Sequence, residues 1–197
     1  MGRIVKCTLI GTLLSLCLLC GCANKVEEGA DLLEKKDFEG AVKVFEQVLS
    51  DGKSSSVQEA EAYRGLGMAY FELGQYDKVG ECLEKAVEAG GWKTPALYNL
   101  IGVSAMRQGD YTAALAAFEE GVALPAEGWS EQGAFPWQEE KVAADYSEVM
   151  REMRYNRIVC HEKMYDWQQA YLAATEYLEY YPDDEAVRHE AEFLETR

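Results

Sequence analysis

Thiols are the most reactive groups that this sequence sets in a pattern. Of six cysteines, Cys7, Cys17, Cys20 and Cys22 crowd into the first 22 residues, and only Cys82 and Cys160 follow. Those two stand 78 positions apart in apolar, helix-forming stretches and read as small buried thiols, not as a disulfide framework. No CxxC occurs after Cys22, so neither a zinc ribbon nor a thioredoxin-like redox pair is supported. The histidines are His161 and His189. His161-Glu162 opens like a zinc-protease helix, yet no second histidine stands four residues on. The nucleophile-elbow, phosphate-loop and dinucleotide glycine patterns are absent. The sequence therefore assigns no catalytic residue, no metal ligand and no cofactor, and the chain reads as a non-enzyme. With 35 acidic against 19 basic residues and a net charge of −16, a nucleic-acid partner is excluded, because such a surface repels phosphate.

Cys22 is the one thiol with a defined chemical context. Arg3 and Lys6 supply a positive start without an acidic residue, and residues 7–20 form a short apolar run. A membrane span needs about twenty apolar residues, so this run suits the core of a secretion signal. Its end, Leu19-Cys20-Gly21-Cys22, resembles the lipobox of bacterial lipoproteins. The resemblance implies an apolar Leu19, a small Gly21 before the cut and a lipidated Cys22, with Cys20 standing where Ala, Ser or Thr is commoner. It also implies a signal peptide over 1–21, a lipidated N-terminus and tether over 22–25, and a position in the bacterial cell envelope. There the chain is anchored by lipid to the outer face of the cell membrane, or to an outer membrane if the source has one. Losing Arg3 and Lys6 leaves 17 basic against 35 acidic side chains.

Beyond the leader, the sequence repeats. Tyr63-x-x-Leu66-Gly67-x-x-Tyr70, Gly74, Tyr76, Val79, Leu83 and Ala86 are echoed by Tyr98-x-x-Ile101-Gly102-x-x-Ala105, Gly109, Tyr111, Ala114, Phe118 and Gly121. An earlier copy has Gly29, Leu32, Phe38, Ala41, Phe45 and Val48; a later one has Trp167, Ala170, Ala174 and Tyr177, closing at Tyr181-Pro182. The pattern resembles the tetratricopeptide repeat, whose period is about 34 residues. That resemblance implies an all-α, tetratricopeptide-type helical-hairpin solenoid of about four helix pairs plus a C-terminal capping helix. Three repeats occupy 26–125, a fourth occupies 151–182, and the cap occupies 183–197.

Spacing refines the units. The small second-helix positions 41, 79, 114 and 170 are separated by 38, 35 and 56 residues, whereas Gly29, Gly67 and Gly102 each precede their partner by 12. The excess therefore lies between units. The first fits the polar loop 51–56, with Ser56 as the helix cap; the second fits Gly90-Gly91-Trp92-Lys93 before Thr94-Pro95, where Thr caps and Pro takes the first turn. Small Gly67 and Gly102 are expected to face Val79 and Ala114. In the fourth unit Val159 precedes Ala170 by only 11, so either the turn at Tyr165 is one residue shorter or Ile158 is the close-contact residue.

In tetratricopeptide proteins the first helices line a concave groove that binds peptides or helices. Matched register nominates Glu61, Arg64, Met68 and Phe71 in one unit, Asn99, Val103, Met106 and Arg107 in the next, and Tyr155, Val159 and Glu162 in the fourth. Arg64, Asn99 and Arg107 are suited to a peptide carboxylate or backbone. The carboxylate-clamp subgroup has an asparagine where this chain has Met68, so its clamp is not reproduced.

The interval of 56 leaves about 22 residues beyond the repeat period. This acidic insertion, 126–150, carries Trp129, Phe135 and Trp137. Rings in a loop either pack over the groove or stack, or form a recognition loop. The reading that results is a lipid-anchored, extracytoplasmic scaffold for protein or peptide partners, touching the membrane through Cys22. The alternatives are an envelope assembly factor resembling pilotins or outer-membrane assembly subunits, or a lipid-anchored enzyme using Glu139, Glu140 and His161.

Overall fold

In the computed structural model, residues 25–124 and 142–197 are described. They are all-helical, with no strand among the described residues. Helix α1 covers 25–34. It is followed by α2 (Phe38–Ser50), α3 (Ser56–Glu72), α4 (Tyr76–Glu88), α5 (Pro95–Gln108), α6 (Tyr111–Val122), α7 (Val142–Lys163), α8 (Trp167–Tyr180) and α9 (Glu185–Leu194). Successive helices pack antiparallel in pairs, α3 on α4, α5 on α6 and α7 on α8, and each pair leans on the first helix of the next. Helix α7 packs against α5 and α6, just as α5 packs against α3 and α4, so the stack continues from α6 to α7.

Local chemistry sets the helix ends. Asp37, Asp110, Asp166 and Asp184 each accept a hydrogen bond from a first-turn amide, those of Gly40, Ala113, Gln169 and Val187. Thr94 does the same for Leu97, with Pro95 in the first turn as expected. The cap of α3 is Ser55, one residue earlier than the sequence suggests. Only from Ser55 does Gln58 stand three residues on, where its side chain completes a reciprocal capping box and leaves Ser56 as the first helical residue.

The turns inside the units share one geometry. Lys36, Gly74, Gly109 and Tyr165 all have left-handed φ, at 60°, 72°, 79° and 60°. Tyr165 therefore occupies the same turn position as the other three, and the fourth turn is not shortened. It follows that Ile158, 12 residues before Ala170, stands where the other units have glycine. Ile158 is fully buried while Val159 is half-buried.

The glycines let second-helix rings approach. A Cβ on Gly29 or Gly65 would lie 2.6 or 2.3 Å from the Phe45 ring, so this one side chain is wedged between its own first helix and that of the following unit. Gly67 meets Leu83, and Gly102 meets Phe118, rather than Val79 and Ala114. A helical side chain leans toward the N-terminus of its helix, so the residue one turn later covers that level. Val79 and Ala114 are themselves fully buried. In the fourth unit the sizes are exchanged: bulky Ile158 and small Ala174 share one buried cluster with Ala170, Tyr177 and Val187. The volume that Phe45, Leu83 and Phe118 supply from the second helix elsewhere is supplied here from the first.

Candidate functional site

The first helices neighbour one another, α3 beside α5 and α5 beside α7, and α7 and α9 together line one recess. Between α3 and α5 lies a pocket of about 210 Å³, lined by Arg64, Met68, Phe71, Glu72, Leu83, Thr94, Ala96, Leu97 and Leu100. Three of the four groove residues expected from α3 are thus brought together. The Phe71 ring is braced edge-on by Tyr76, with centroids 5.5 Å apart. Arg64 is only 8% exposed, so its stem belongs to the wall and not to an outer rim. Glu61, half-buried one turn away, has its carboxyl pushed above the usual range by desolvation, against the pull of the Arg64 charge.

Ala96, Leu97 and Leu100 of α5, with Glu72, Leu83 and Thr94, are the wall residues that register matching did not nominate. The signal for those on α5 was present in the sequence: a Thr94-Pro95 start fixes the phase of α5, and its first apolar residues must then face back toward α3.

On α5 the expected residues separate. Asn99 donates from Nδ2 to Glu152 Oε2 of α7 at 3.0 Å, while its Oδ1 is buried without a hydrogen-bond partner. Val103 and Met106 pack partly buried against the core. Arg107 is exposed in the last turn and does not line the α3/α5 pocket.

A second recess, about 470 Å³, lies between α7 and α9. Glu148, Arg151, Glu152, Tyr155, Tyr177, Asp184, Ala186 and Val187 line it. Tyr155 is 39% exposed and rests edge-on against Tyr177 at 6.3 Å. Behind them, Arg151 Nε donates to the Tyr177 hydroxyl, and Arg151 Nη2 and that hydroxyl both donate to Asp184 Oδ2, each at 2.8 Å. The hydrogen bond from Arg151 is the main reason why the Asp184 carboxyl is held below its ordinary value. Further along α7, Glu162 is a near neighbour of Glu190 of α9. Burial first, and then the neighbouring Glu162, push Glu190 above the usual carboxylate range. Neither Glu190 nor the Arg151–Asp184–Tyr177 network was foreseen, because α9 lacks the repeat signature that assigns register.

His161 faces away from this surface. It is 9% exposed, with Glu119 of α6 as well as Asp166 and Arg157 nearby, and burial lowers its pKa. Cys22, Trp129, Phe135, Trp137, Glu139 and Glu140 lie outside the described residues. What the arrangement offers chemically is binding: an apolar socket at one end of the face, and carboxylates around an aromatic ring at the other.

Sequence profiles of the tetratricopeptide repeat match residues 60–89 and 80–128. No curated protein matches the chain. Among solved structures, YrrB, described as a tetratricopeptide protein with an unusual peptide-binding site, superposes with a TM-score of 0.62 at 18% identity, over 86% of this chain and 74% of its own. MamA gives 0.64 at 17% identity, over 88% of this chain and 80% of its own. A second MamA structure gives 0.61 at 15%, over 89% and 81%. The chain carries tetratricopeptide repeats, and its fold is a helical-hairpin solenoid of that type.

Proposed function

We propose that this protein is a non-enzymatic scaffold that holds protein or peptide partners along its first-helix face, tethered by lipid on Cys22 to the outer side of a bacterial membrane. The observation that carries the binding half is the α3/α5 pocket. Met68, Phe71, Leu97 and Leu100 leave an apolar recess open between packed helices instead of closing it with side chains. Peptide binding by YrrB, on the same fold, supports the reading.

The membrane half rests on Leu19-Cys20-Gly21-Cys22 after an apolar run with a basic start. Only residues 23 and 24 separate that cysteine from the start of α1 at residue 25, so the anchored solenoid stands close to the bilayer. Its acidity then keeps it off anionic lipid and favours basic partners.

Two measurements test the reading. Metabolic lipid labelling is expected to mark the native protein and to vanish in Cys22→Ser; label that persists refutes the anchor. A photocrosslinker at Met68 is expected to trap partners on intact envelopes that one at Glu84, exposed on α4, does not. Equal trapping from both positions refutes the groove.

A further inference from the structure

The start of α1 and the connections between the first units share one edge of the stack. Lys25, the first residue of α1, donates from Nζ to Oδ2 of Asp51, which ends α2, at 2.6 Å. The chain then runs out along α3 and back along α4 to the same level. There a Cβ on Gly91 would lie 3.3 Å from the Cβ of Ala60, near the start of α3. The left-handed turns at Lys36 and Gly74 lie at the opposite edge. Helices of 13 and 17 residues set the two edges about 20–25 Å apart.

Among the described residues 25–124, the exposed large apolar side chains are Val57, at 65%, and Trp92, at 52%. Both stand on the edge where α1 begins. Val57 is one turn before Ala60 on the same side of α3, and Trp92 follows Gly91, so the two sit close together. Lys53 and Lys93, both exposed, lie in the same two connections. Segments 51–55 and 89–94 carry those two lysines against Asp51, which Lys25 already pairs, in a chain whose net charge is −16.

Resting on the reading of Cys22 as a lipid anchor, we infer that this edge is a second membrane contact, with the Trp92 ring and Val57 set into the headgroup region beside the acylated residue. The solenoid then stands on its inter-unit edge, and the turns at Lys36 and Gly74 point into water. The tether decides the occupant. Three residue steps from Cys22 to Lys25 reach at most about 10 Å, so this edge cannot leave the bilayer surface. First helices pack about 10 Å apart, which puts Val57 and Trp92 within about 20 Å of the anchor along that surface. An indole has an apolar body and one N–H donor, the combination that favours the membrane–water interface. The Lys53 and Lys93 stems can lie along the same zone with their ammonium groups at the phosphates. Glu27, Glu28 and Glu88, exposed on the adjoining helices, keep the contact from depending on anionic lipid. Lipid alone would let the solenoid pivot about residues 23 and 24; the ring fixes which edge faces down.

The test uses the lipidated full chain in vesicles of phosphatidylethanolamine and phosphatidylglycerol, with a photocrosslinking residue in place of Val57, Trp92 or, as the control, Asp77. Asp77 is exposed in the first turn of α4, at the opposite edge. Phospholipid adducts are expected from 57 and 92 and not from 77. Trp92→Gln should remove most of the adduct formed from 57, with helical circular dichroism unchanged. Equal adducts at both edges, crosslinks from 57 and 92 that run to protein or to a second copy instead of lipid, or adduct undiminished by Trp92→Gln overturn the inference; if Cys22 carries lipid in that preparation, the anchor reading stands. A chain without lipid on Cys22 overturns the anchor reading, and this inference with it.

Discussion

Replacing Gly102 by alanine sets helix propensity against packing, and packing is expected to win. A Cβ there would lie 2.4 Å from Phe118 Cε1 and 2.7 Å from Cδ1 and Cζ. Carbon atoms rest comfortably at about 3.5–4.0 Å, so the ring must retreat by about 1 Å. Phe118 is fully buried, and protein interiors are close-packed, so the ring has little room to retreat. Overpacking of this kind costs about 1–3 kcal/mol, and three ring carbons inside 2.7 Å place this site at the upper end. Alanine recovers about 1 kcal/mol of helix propensity, for a net loss of about 2 kcal/mol. In a chain of this size that loss lowers Tm by about 4–8 °C. Gly80, also inside a helix, is the control, for a Cβ there meets nothing within 4 Å. Gly80→Ala should therefore stabilise the protein by about 1 kcal/mol. Urea denaturation followed by circular dichroism reads both variants. If Gly102→Ala stabilises the chain as Gly80→Ala does, the close-approach account of the glycines is wrong.

Four other outcomes follow from the geometry. Lys36→Gly relieves a left-handed residue at φ 60° and should add about 0.5–1 kcal/mol in the same denaturation assay. Asp184→Ala removes the α9 cap together with the bonds from Arg151 and Tyr177, so hydrogen exchange should quicken first in α9, while Asp184→Asn, which keeps a capping oxygen, should be milder. Because the folded Asp184 carboxyl is depressed, its contribution is present above about pH 3.9 and is lost as pH falls through the lower folded value. His161 is also depressed, by burial, so the folded chain favours the neutral ring; stability should fall as pH drops below about 6.5 in wild type and less in His161→Gln, measured by urea midpoints. Tyr70, buried and hydrogen-bonded to Glu46 at 3.1 Å, is pushed up to about 12, and its tyrosinate absorbance should emerge only near there, with Tyr98 behaving alike.

The repeat pattern made most of the fold legible before any coordinates. Phe45, Leu83 and Phe118 recur opposite glycines because a solenoid reuses one packing problem, and reuse is visible as spacing. The fourth unit was ambiguous in sequence because its solution differs: Ile158 carries bulk that Ala174 gives up, so the glycine that marks register is missing. Turn conformation resolved it, since Tyr165 shares the left-handed geometry of Lys36, Gly74 and Gly109. The pocket was half legible. Arg64, Met68 and Phe71 followed from one helix's phase, whereas Leu97, Leu100, Glu190 and Arg151 depend on how neighbouring helices are offset, which repeat spacing does not encode. Arg64, nominated as a polar contact, lines the pocket and is 8% exposed.

The traded bulk of Ile158 and Ala174 has a consequence for assembling chimeras from these modules. The first three units each match a hollow to a protrusion in the same sense, so any of their hairpin halves could be recombined with limited damage. A first helix from the fourth module, set against a second helix from the third, would drive isoleucine into phenylalanine; the opposite graft would leave a void between glycine and alanine. The last hairpin therefore has to be moved whole, and the array's order is written into its interior as well as its surface.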